Sequence, residues 1–402
     1  MLPISPTWAE CSSDWSSFSY GNVTGNSITD TMAQGKSFSK KKKKKFIFFH
    51  LSFRVILLIC AAALAIAYTS ALINPQTFLL PTLLGLYFIP LALLNFVLLI
   101  VAVIRKSGSF WIPFLSLIPS LFILEFMYQP SREPIPWEKG EIKILTYNTG
   151  LFKSGKESKD VDDNREAIMN FIENEAPDIV CLQEYSIRDT LSIRRHFKNY
   201  PHLIHHLFKH SDGRWTGNVT ASKFPILTSG TVVFKGSTNL SLWCDILCDG
   251  RQYRVFNNHL ESNAISLTSL IKKIGGRNTE IKPELEKIHG KIKTSVSRRS
   301  DQTFEILTNI NSCKKPAIIC GDFNDMPLSY TFRQLYKGRK DSFAEGGKGF
   351  GATYSILWPL LRIDYILIPE QMEVLGHETP RKDYSDHYPV ISRIKPNDEK
   401  DD

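Results

Sequence analysis

The chain has 402 residues, a formal net charge of +9 at pH 7 and seven cysteines. This length exceeds that of a usual single domain, so we expect at least two structural regions. Residues 1–140 carry 12 Lys and Arg against 6 Asp and Glu, and the remainder carries 37 against 34. The positive charge is therefore no evidence for a nucleic-acid-binding domain. Because the cysteines show no disulfide or metal spacing, we expect no disulfide framework.

The N-terminal region is predicted to be a tail followed by membrane spans. Residues 1–45 are polar and end in the run Lys40–Lys45, with no apolar signal-peptide segment before the lysines. We expect a disordered, basic tail, with Met32 as an alternative start. Residues 46–127 contain three apolar stretches, each close to the ~20 residues that cross a bilayer: Phe46–Ala71, Phe78–Ile104 and Phe110–Met127. They predict an all-α transmembrane region, and hence an integral, multi-pass membrane protein with the lipid bilayer as a partner.

Charges in the loops predict the orientation of this region. Lys40–Lys45 precede the first stretch, Ser70–Gln76 carry no charge, and Arg105 and Lys106 precede the third stretch. With three spans, the positive-inside rule places the rest of the chain outside the cytoplasm. If the short third stretch does not cross, the following domain would be cytoplasmic. A transporter is not indicated, because Glu125 stands nearly alone as an intramembrane charge.

Residues 141–396 have the composition of a globular domain, joined by a proline-rich linker at 128–140 and followed by an acidic tail at 397–402. Helices are predicted at Asn164–Asn174, with Asp162 or Asp163 as N-cap, and around Asp301–Asn311. Strands are predicted at Ile142–Tyr147, Ile179–Leu182, Gly217–Ser222, Thr231–Phe234, Ser241–Leu247, Tyr253–Asn257, Ala317–Cys320, Ile363–Leu367 and Val390–Ile394. Many short strands with few helices favour an α/β domain with two packed sheets.

Five short segments of this domain carry polar side chains, mostly directly after a predicted strand. They are Tyr147-Asn148, Gln183-Glu184, Asn258–Glu261, Gly321–Asp325 and Ser385–Pro389. Strand ends are where α/β domains place their chemistry. Together the segments offer oxygen ligands for a hard cation, amides for phosphate oxygens and histidines for phosphoryl transfer.

Each residue also has an ordinary structural interpretation. Glu184 is either a cation ligand or a surface glutamate that follows a buried strand. Asn148 either orients phosphate and metal ligands or satisfies loop backbone groups. Asp322 either orients or deprotonates a water, with Asn324 donating to a phosphoryl oxygen, or both belong to an Asp/Asn turn, to which Asp325 is assigned.

Two further groups are interpreted in the same way. Asp386 and His387 are adjacent in sequence and offer a metal contact and a proton-transfer or charge-stabilising group. Asp364 is placed to accept a hydrogen bond from an imidazole and so fix its tautomer. His259 closes a predicted strand and is suited to a phosphate oxygen. Any one of these could be a plain surface residue, and the set carries the hypothesis.

The domain resembles the endonuclease/exonuclease/phosphatase superfamily, because it carries these segments in the order typical of that superfamily. The superfamily includes apurinic endonucleases, deoxyribonuclease I, sphingomyelinases and inositol polyphosphate phosphatases. Gly-Asp-Phe-Asn at 321–324 and Ser-Asp-His at 385–387 are the most specific pieces. The resemblance implies a four-layer α/β sandwich of two packed β-sheets flanked by helices, with Mg²⁺ or Mn²⁺ as cofactor.

The resemblance also implies roles for individual residues. Glu184, with Asp386 and Asn148, would hold the metal. His259 and Asn324 would contact phosphate, and Asp322 would align or deprotonate the attacking water. Asp364 and His387 would stabilise the pentacoordinate transition state.

The expected function is a membrane-anchored, divalent-metal-dependent phosphoester hydrolase, foremost a phosphodiesterase or nuclease. One alternative is a phospholipid phosphodiesterase or phosphatase of sphingomyelinase or phosphoinositide type, and another is a catalytically inactive module that binds a phosphorylated ligand. The basic segment Asn263–Gln302 is either a lid that attracts an anionic substrate or a solvated helical hairpin. Gly346–Gly351 is predicted to be a flexible loop at the edge of the cleft.

Overall fold

The computed structural model describes residues 48–131, 135–137, 139–155, 160–262 and 281–397, without the side chains of 281–285. The chain divides into two compact units, Met1–Ile56 and Leu57–Asp402. In the first unit the described residues, 48–56, are helical. The second unit contains the remainder of that helix and everything after it. The predicted tail at 1–45 and the acidic residues after Asn397 lie outside the described residues.

The apolar N-terminal region is helical. Its helices are α1 Phe48–Ala71, α2 Leu80–Leu86, α3 Phe88–Ile104, α4 Trp111–Leu117 and α5 Ser120–Leu124. In the described part of the chain, α1 alone is long and apolar enough to cross a membrane by itself, with 24 residues and a mean hydropathy of 2.3. Helices α2 and α3 meet that criterion only as a pair, bent by 72°.

The three predicted spans therefore differ. The first stretch forms one continuous helix, the second is a bent pair, and the third is a shorter apolar segment, Trp111–Leu124. In the third stretch, Pro119 is the N-cap of α5 and separates it from α4. A proline has no backbone N–H to donate to the helical ladder, which explains the interruption.

The rest of the chain contributes fourteen strands and five further helices among the described residues. The strands are β1 Tyr128–Gln129, β2 Ile142–Asn148, β3 Ile179–Ile187, β4 His202–Lys209, β5 Trp215–Ser222, β6 Ile226–Val233, β7 Leu240–Cys248, β8 Arg251–His259, β9 Ala317–Asp322, β10 Arg339–Asp341, β11 Gly349–Phe350, β12 Asp364–Pro369, β13 Met372–Glu378 and β14 Val390–Pro396. The helices are α6 Val161–Glu175, α7 Ile193–His196, α8 Ile281–Asn311, α9 Tyr330–Tyr336 and α10 Ser342–Gly346.

Twelve of these strands form two six-stranded mixed sheets. We call them sheet I, in the order β13-β14-β2-β3-β5-β4, and sheet II, in the order β10-β12-β9-β8-β7-β6. Within each sheet one pair is parallel, β2 with β3 and β8 with β9, and the other pairs are antiparallel. Because the carboxyl ends of parallel strands lie at the same edge, β2 and β3 end together, as do β8 and β9.

Side chains alternate between the two faces of each strand, and this alternation builds the layers. Ile142 and Ile144 of β2 point into a core between the sheets, where they join Ile318 and Cys320 of β9. Leu145 of the same strand points outward into a second core that includes residues of α6 and α7. A third core joins the outer face of sheet II to α8 and α9. The prediction of a four-layer sandwich is confirmed.

Several local features differ from the sequence prediction. The N-cap of α6 is Asp160, whose Oδ1 accepts hydrogen bonds from the N–H groups of Asp162 and Asp163. The predicted linker contains β1, which pairs with β11 inside the predicted flexible loop. Strands β4, β10 and β13 have no counterpart among the predicted ones. All three lie at or next to a sheet edge, where mixed polar composition hides the alternation.

Candidate active site

All eight predicted site residues lie at one edge of the sandwich. Asn148, His259 and Asp322 end β2, β8 and β9, and Asp364 begins β12. Glu184 lies in β3, at an irregularity in its pairing with β5. The register pairs Asp322 with both His259 and Asp364. Asn324 follows β9, and Asp386 and His387 precede β14.

The carboxylate of Asp322 is at the centre of this cluster. Its Oδ2 accepts hydrogen bonds from Asn148 Nδ2 at 2.9 Å and from Asn324 Nδ2 at 3.1 Å. Its Oδ1 accepts the backbone N–H of Asn324 at 2.8 Å. Nε2 of His259 and Nε2 of His387 each lie 3.9 Å from Oδ2. Two amides and two imidazoles therefore converge on one buried carboxylate.

A second carboxylate orients His387. Nδ1 of His387 donates to Oδ2 of Asp364 at 2.9 Å, and both side chains are buried. This bond turns Nε2 of the ring toward Asp322. The acid–imidazole pair predicted from the sequence is present, with the geometry by which an acid fixes the orientation of a histidine.

The two histidines have opposite electrostatic environments. Burial lowers the pKa of His259 below its ordinary value, although Asp322 opposes this effect. Burial acts in the same direction on His387, but the carboxylates of Asp364 and Asp322 outweigh it and raise the pKa of His387 well above its ordinary value. Burial and the nearby Asp364 raise the pKa of Asp322 to about 6. These opposite shifts favour the neutral form of His259 and the protonated form of His387.

Glu184, Asn148 and Asp386 lie beside this cluster; Glu184 and Asp386 are partly exposed, and Asn148 is buried. Oε1 of Glu184 lies 3.4 Å from Asn148 Nδ2 and 3.5 Å from His259 Nε2. Ser385 Oγ donates to the backbone carbonyl of Asn148 and lies 3.3 Å from Asp386 Oδ1. Burial raises the pKa of Glu184, and Asp386 adds to this effect while His387 opposes it.

This oxygen-rich group fits a hard divalent cation. Two carboxylates and an amide are the donors that Mg²⁺ and Mn²⁺ take, and a cation would offset the burial of Glu184. Asp322, Asp364 and His387 also bring potential ligand atoms within 4.8 Å of one another. In that second group, however, the bond from His387 to Asp364 already uses one ligand atom from each of the two residues. We therefore favour the first group as the metal position.

Backbone conformation at the site is unusual. Glu184 and Asn324 have φ values of 49° and 51°, in the left-handed region that most side chains avoid. Gly321 has a φ of 123°, and a Cβ there would lie 2.0 Å from the carbonyl oxygen of Asn258. Such strain is concentrated at functional sites, where the surrounding structure holds side chains in place. Glycine at 321 is required by the close approach of β8.

A polar network beneath the site was not predicted from the sequence. Nδ2 of Asn257 donates to the backbone carbonyls of Leu182 and Val219, in the opposite sheet. Its Oδ1 accepts from Nε2 of Gln183 at 2.7 Å. Asn218 Nδ2 donates to the carbonyl of Asn257. Polar residues within otherwise apolar strands are the sequence signal for this network, which joins the two sheets directly below the site.

Part of the predicted basic segment Asn263–Gln302 has a structural role, because two of its arginines bind neighbouring loops. Arg299 is buried, and it donates to the carbonyl of Glu261 and to Oδ2 of Asp325. Arg298 donates to Oε1 of Glu261 at 2.8 Å. These two cations hold the chain after His259 and the turn after Asn324. The part of the predicted lid at 263–280 lies outside the described residues.

A sequence profile described as the Endonuclease/Exonuclease/phosphatase family matches residues 145–387, which is more than half of the chain. The chain therefore belongs to this family, as the motifs predicted. The family consists of phosphoester hydrolases that depend on divalent metals. This protein is a phosphoester hydrolase.

Solved structures of family proteins are similar to part of the chain. An endonuclease/exonuclease/phosphatase from Beutenbergia cavernae is 18% identical with a TM-score of 0.48, covering 64% of this chain and 72% of that one. The human Nocturnin catalytic domain with bound sulfate is 18% identical with a TM-score of 0.46, covering 64% and 95%. A mannosyl-6-phosphatase from Bacteroides thetaiotaomicron is 16% identical with a TM-score of 0.42, covering 63% and 99%. No curated protein matches the chain in sequence.

Proposed function

We propose that this protein is a membrane-anchored phosphodiesterase that uses Mg²⁺ or Mn²⁺ and activates water with Asp322. The observation that carries the proposal is the convergence of two imidazoles and two amides on the Asp322 carboxylate. Hydrogen bonds from Asn148 and Asn324 hold this carboxylate in one orientation. A fixed, buried carboxylate beside two phosphate-binding groups has the geometry of a general base.

The neighbouring residues are assigned by position. His259 and Asn324 bind the non-bridging phosphoryl oxygens, because their side chains flank Asp322 on the side of Glu184 and the turn. The Asp364–His387 pair faces Asp322 with Nε2, so the imidazole stabilises the charge that develops on the phosphoryl group. Hydrogen bonds preorganise Asn324 and the Asp364–His387 pair, so little reorganisation of these groups is needed during reaction.

Glu184, Asn148 and Asp386 are proposed to hold the divalent metal. When bound, the metal supplies Lewis-acid polarisation of the phosphoryl group and neutralises its charge. Glu184 and Asp386 are partly exposed, which leaves access for the ion and for a substrate oxygen. The buried carboxylates of Asp322 and Asp364 position the attacking water and His387, respectively.

Membrane anchoring is proposed from the apolar helices and their contacts. Ser70 Oγ donates to the carbonyl of Leu328, and Gln76 Nε2 donates to Asp301 Oδ1 at 2.7 Å. The C-terminal end of α1 therefore contacts the catalytic domain. Since Lys40–Lys45 precede α1 in sequence, the positive-inside rule assigns the domain to the extracytoplasmic side. This assignment applies if α1 alone crosses the bilayer or if all three apolar stretches cross it, because the number of spans must be odd.

Between the two substrate classes, phospholipid is better supported than nucleic acid. Arg298 and Arg299, two basic residues of the segment predicted to attract an anionic substrate, are engaged with Glu261 and Asp325. Contacts of the domain with apolar helices instead favour a substrate at the membrane.

The test is hydrolysis of the water-soluble bis(p-nitrophenyl) phosphate by the purified full chain in detergent. We expect turnover with Mg²⁺ or Mn²⁺, loss of turnover with chelator, and loss of turnover in Asp322→Asn. Wild-type rates in Asp322→Asn would remove the mechanism. If phosphate analogues bind but no substrate is hydrolysed, the chain is the inactive binding module.

A further inference from the structure

An exposed apolar loop borders the candidate active site. It comprises residues 355–361, Ser-Ile-Leu-Trp-Pro-Leu-Leu, and we call it the apolar loop. Its large side chains remain in contact with solvent: Ile356 is 48% exposed, Trp358 39% and Leu360 43%. Clustered large apolar side chains at a surface mark a site of interaction with another apolar phase or partner.

The apolar loop begins at the wall of the catalytic cluster. The ring of Tyr354 lies edge-on to the imidazole of His387, with the centroids 5.3 Å apart. The backbone N–H of Ser355 donates to the carbonyl oxygen of Asp386 at 2.8 Å. Any phase that covers this loop is therefore adjacent to the groups proposed to act on the phosphoester.

The apolar loop is also continuous with the end of the third apolar stretch. The ring of Phe350 contacts Trp358 at 6.0 Å and Tyr128 at 5.2 Å, measured between centroids. Phe350 and Tyr128 are themselves exposed. The N–H of Gly351 donates to the carbonyl of Met127 at 3.0 Å. These aromatic rings extend the apolar surface of the N-terminal helices as far as the catalytic wall.

The segment that follows Asp322 also contacts the N-terminal apolar helices. Leu328, in the turn that follows Asp322, packs in one buried cluster with Leu64 of α1 and Phe88 of α3. Ser70 Oγ donates to the carbonyl of Leu328. The segment that carries Asp322 and Asn324 thus contacts the apolar helices.

Basic side chains accompany the aromatic ones. The guanidinium of Arg381 lies over the ring of Trp358, 4.7 Å from its centroid. Lys348 lines the same surface depression as Phe350 and Trp358. Tryptophan, leucine and isoleucine with flanking Arg and Lys suit the boundary between lipid and water, where the rings enter the head-group layer and the cations meet lipid phosphates.

We infer that the apolar loop, with Phe350 and Tyr128, seats in the head-group layer of the bilayer that holds the N-terminal helices, and that the substrate is a lipid whose phosphoester lies at that surface. The inference rests on the proposed function and adds the surface by which the domain reaches a lipid substrate. Hydrolysis adds the oxygen of water to phosphorus and breaks one P–O ester bond. The water proton passes to Asp322, and the leaving oxygen takes up a proton to become an alcohol.

The first test compares hydrolysis of lipids in vesicles with hydrolysis of a water-soluble diester. The full chain is reconstituted into phosphatidylcholine vesicles that contain, in turn, phosphatidylglycerol, sphingomyelin or phosphatidic acid, and water-soluble phosphate compounds are measured. Bis(p-nitrophenyl) phosphate is supplied in parallel. The triple variant Ile356→Ser, Trp358→Ser, Leu360→Ser should lose about tenfold or more in lipid hydrolysis, because interfacial binding scales with buried apolar area. Its rate on the soluble diester should stay within about twofold, because hydrolysis of that substrate does not require the apolar loop to bind the bilayer.

A matched control removes exposed apolar side chains elsewhere. Leu227→Ser with Val233→Ser alters two exposed residues of β6, an edge strand of sheet II. This double variant should keep both activities. Equal lipid hydrolysis by the triple variant and wild type would overturn the inference, as would hydrolysis of a DNA or RNA oligonucleotide and the soluble diester but of no vesicle lipid.

The second test measures insertion without turnover. Tryptophan fluorescence is recorded in vesicles with and without acyl-chain-brominated phosphatidylcholine, for wild type and Trp358→Phe. We expect a smaller quenchable fraction in Trp358→Phe, because Trp358 contacts lipid. Identical quenching in the two proteins would overturn the inference even if the soluble diester is hydrolysed. Loss of all turnover with Trp358 still quenched would instead remove the proposed function and leave the membrane surface in place.

Discussion

The two sheets contribute different kinds of groups to the same site. Sheet II supplies His259, which is largely buried, and Asp322 and Asp364, which are buried and accept hydrogen bonds from protein partners. Sheet I and its loops supply Glu184 and Asp386, which are partly exposed. Glu184 also has left-handed backbone and a raised pKa.

This difference separates a part of the site that is complete by itself from a part that a cation would complete. On sheet II, Asp322 and Asp364 each accept a hydrogen bond from a protein side chain, so we expect their geometry to depend less on metal. On sheet I the burial of Glu184 near Asp386 is unfavourable until a positive charge offsets it. Substitutions on the two sheets should therefore differ in how their effects depend on metal concentration.

The largest effect is expected for Asp322→Asn on sheet II. The amide cannot take a proton from water, so kcat should fall by about 10²–10⁴-fold without a change in the metal concentration that gives half-maximal rate. Kinetics at several metal concentrations measure both quantities. Asp325→Asn is the matched control, because Asp325 lies in the same turn but bonds Arg299. A similar loss in that control would show that the turn, and not the base, limits activity.

The next effect is expected for Asp364→Asn, which removes the charge that orients His387. We predict a loss of roughly 10²-fold in kcat. In a cycle with His387→Gln, the double variant should be little worse than the worse single variant, because the two residues act as one unit. Additive losses in that cycle would mean that the two side chains act separately.

Glu184→Gln on sheet I should act on the metal. The metal concentration for half-maximal rate is expected to rise by about 10–100-fold, with a smaller loss of kcat at saturating metal. Calorimetric titration of Mn²⁺ into the full chain provides a measurement independent of turnover. The exposed Glu166 of α6 offers the control Glu166→Gln. Unchanged metal affinity in Glu184→Gln would contradict the division between the sheets.

The smallest effect on activity is expected at the opposite end of sheet II. There Asp245 accepts hydrogen bonds from Arg254 and Lys315. Burial alone would raise the pKa of Asp245, but these bonds outweigh it and lower the pKa. Asp245→Asn should cost about 3 kcal/mol of unfolding free energy at pH 7, because it leaves a buried cation without its partner, while the catalytic edge is unaltered.

The sign of the pH dependence follows from the lowered pKa. The stabilisation by Asp245 is complete above the unfolded-state pKa and is lost as the pH falls through the lower folded-state value. Denaturant unfolding of both proteins should therefore show a gap that is constant at neutral pH and closes in acid. A gap that widens in acid would contradict the ion pair.

The strand pattern predicted two packed sheets, and the family resemblance implied the four-layer sandwich. The eight predicted site residues lie together at one edge, and their roles stay predictions. Apolar runs define β2, β3 and β9 locally, and polar residues at the end of each run mark the edge of the sheet. Strand β4 was missed because His202, His205 and His206 interrupt its alternation. The Asp160 cap was misplaced by two or three residues, since three acidic residues lie around the start of the helix and only the backbone shows which one is non-helical.

By itself, the sequence of this protein determined the apolar helical segments, the positions of most strands along the chain and the residue types of the site. These features depend on residues that are close together in the chain. Tertiary structure alone decided that Asn148 would bond Asp322 across 174 residues, and that Asn257 and Gln183 would join the sheets. It also brought the apolar loop beside both His387 and the end of the apolar helices. These contacts depend on register and packing between distant strands, which no local periodicity encodes.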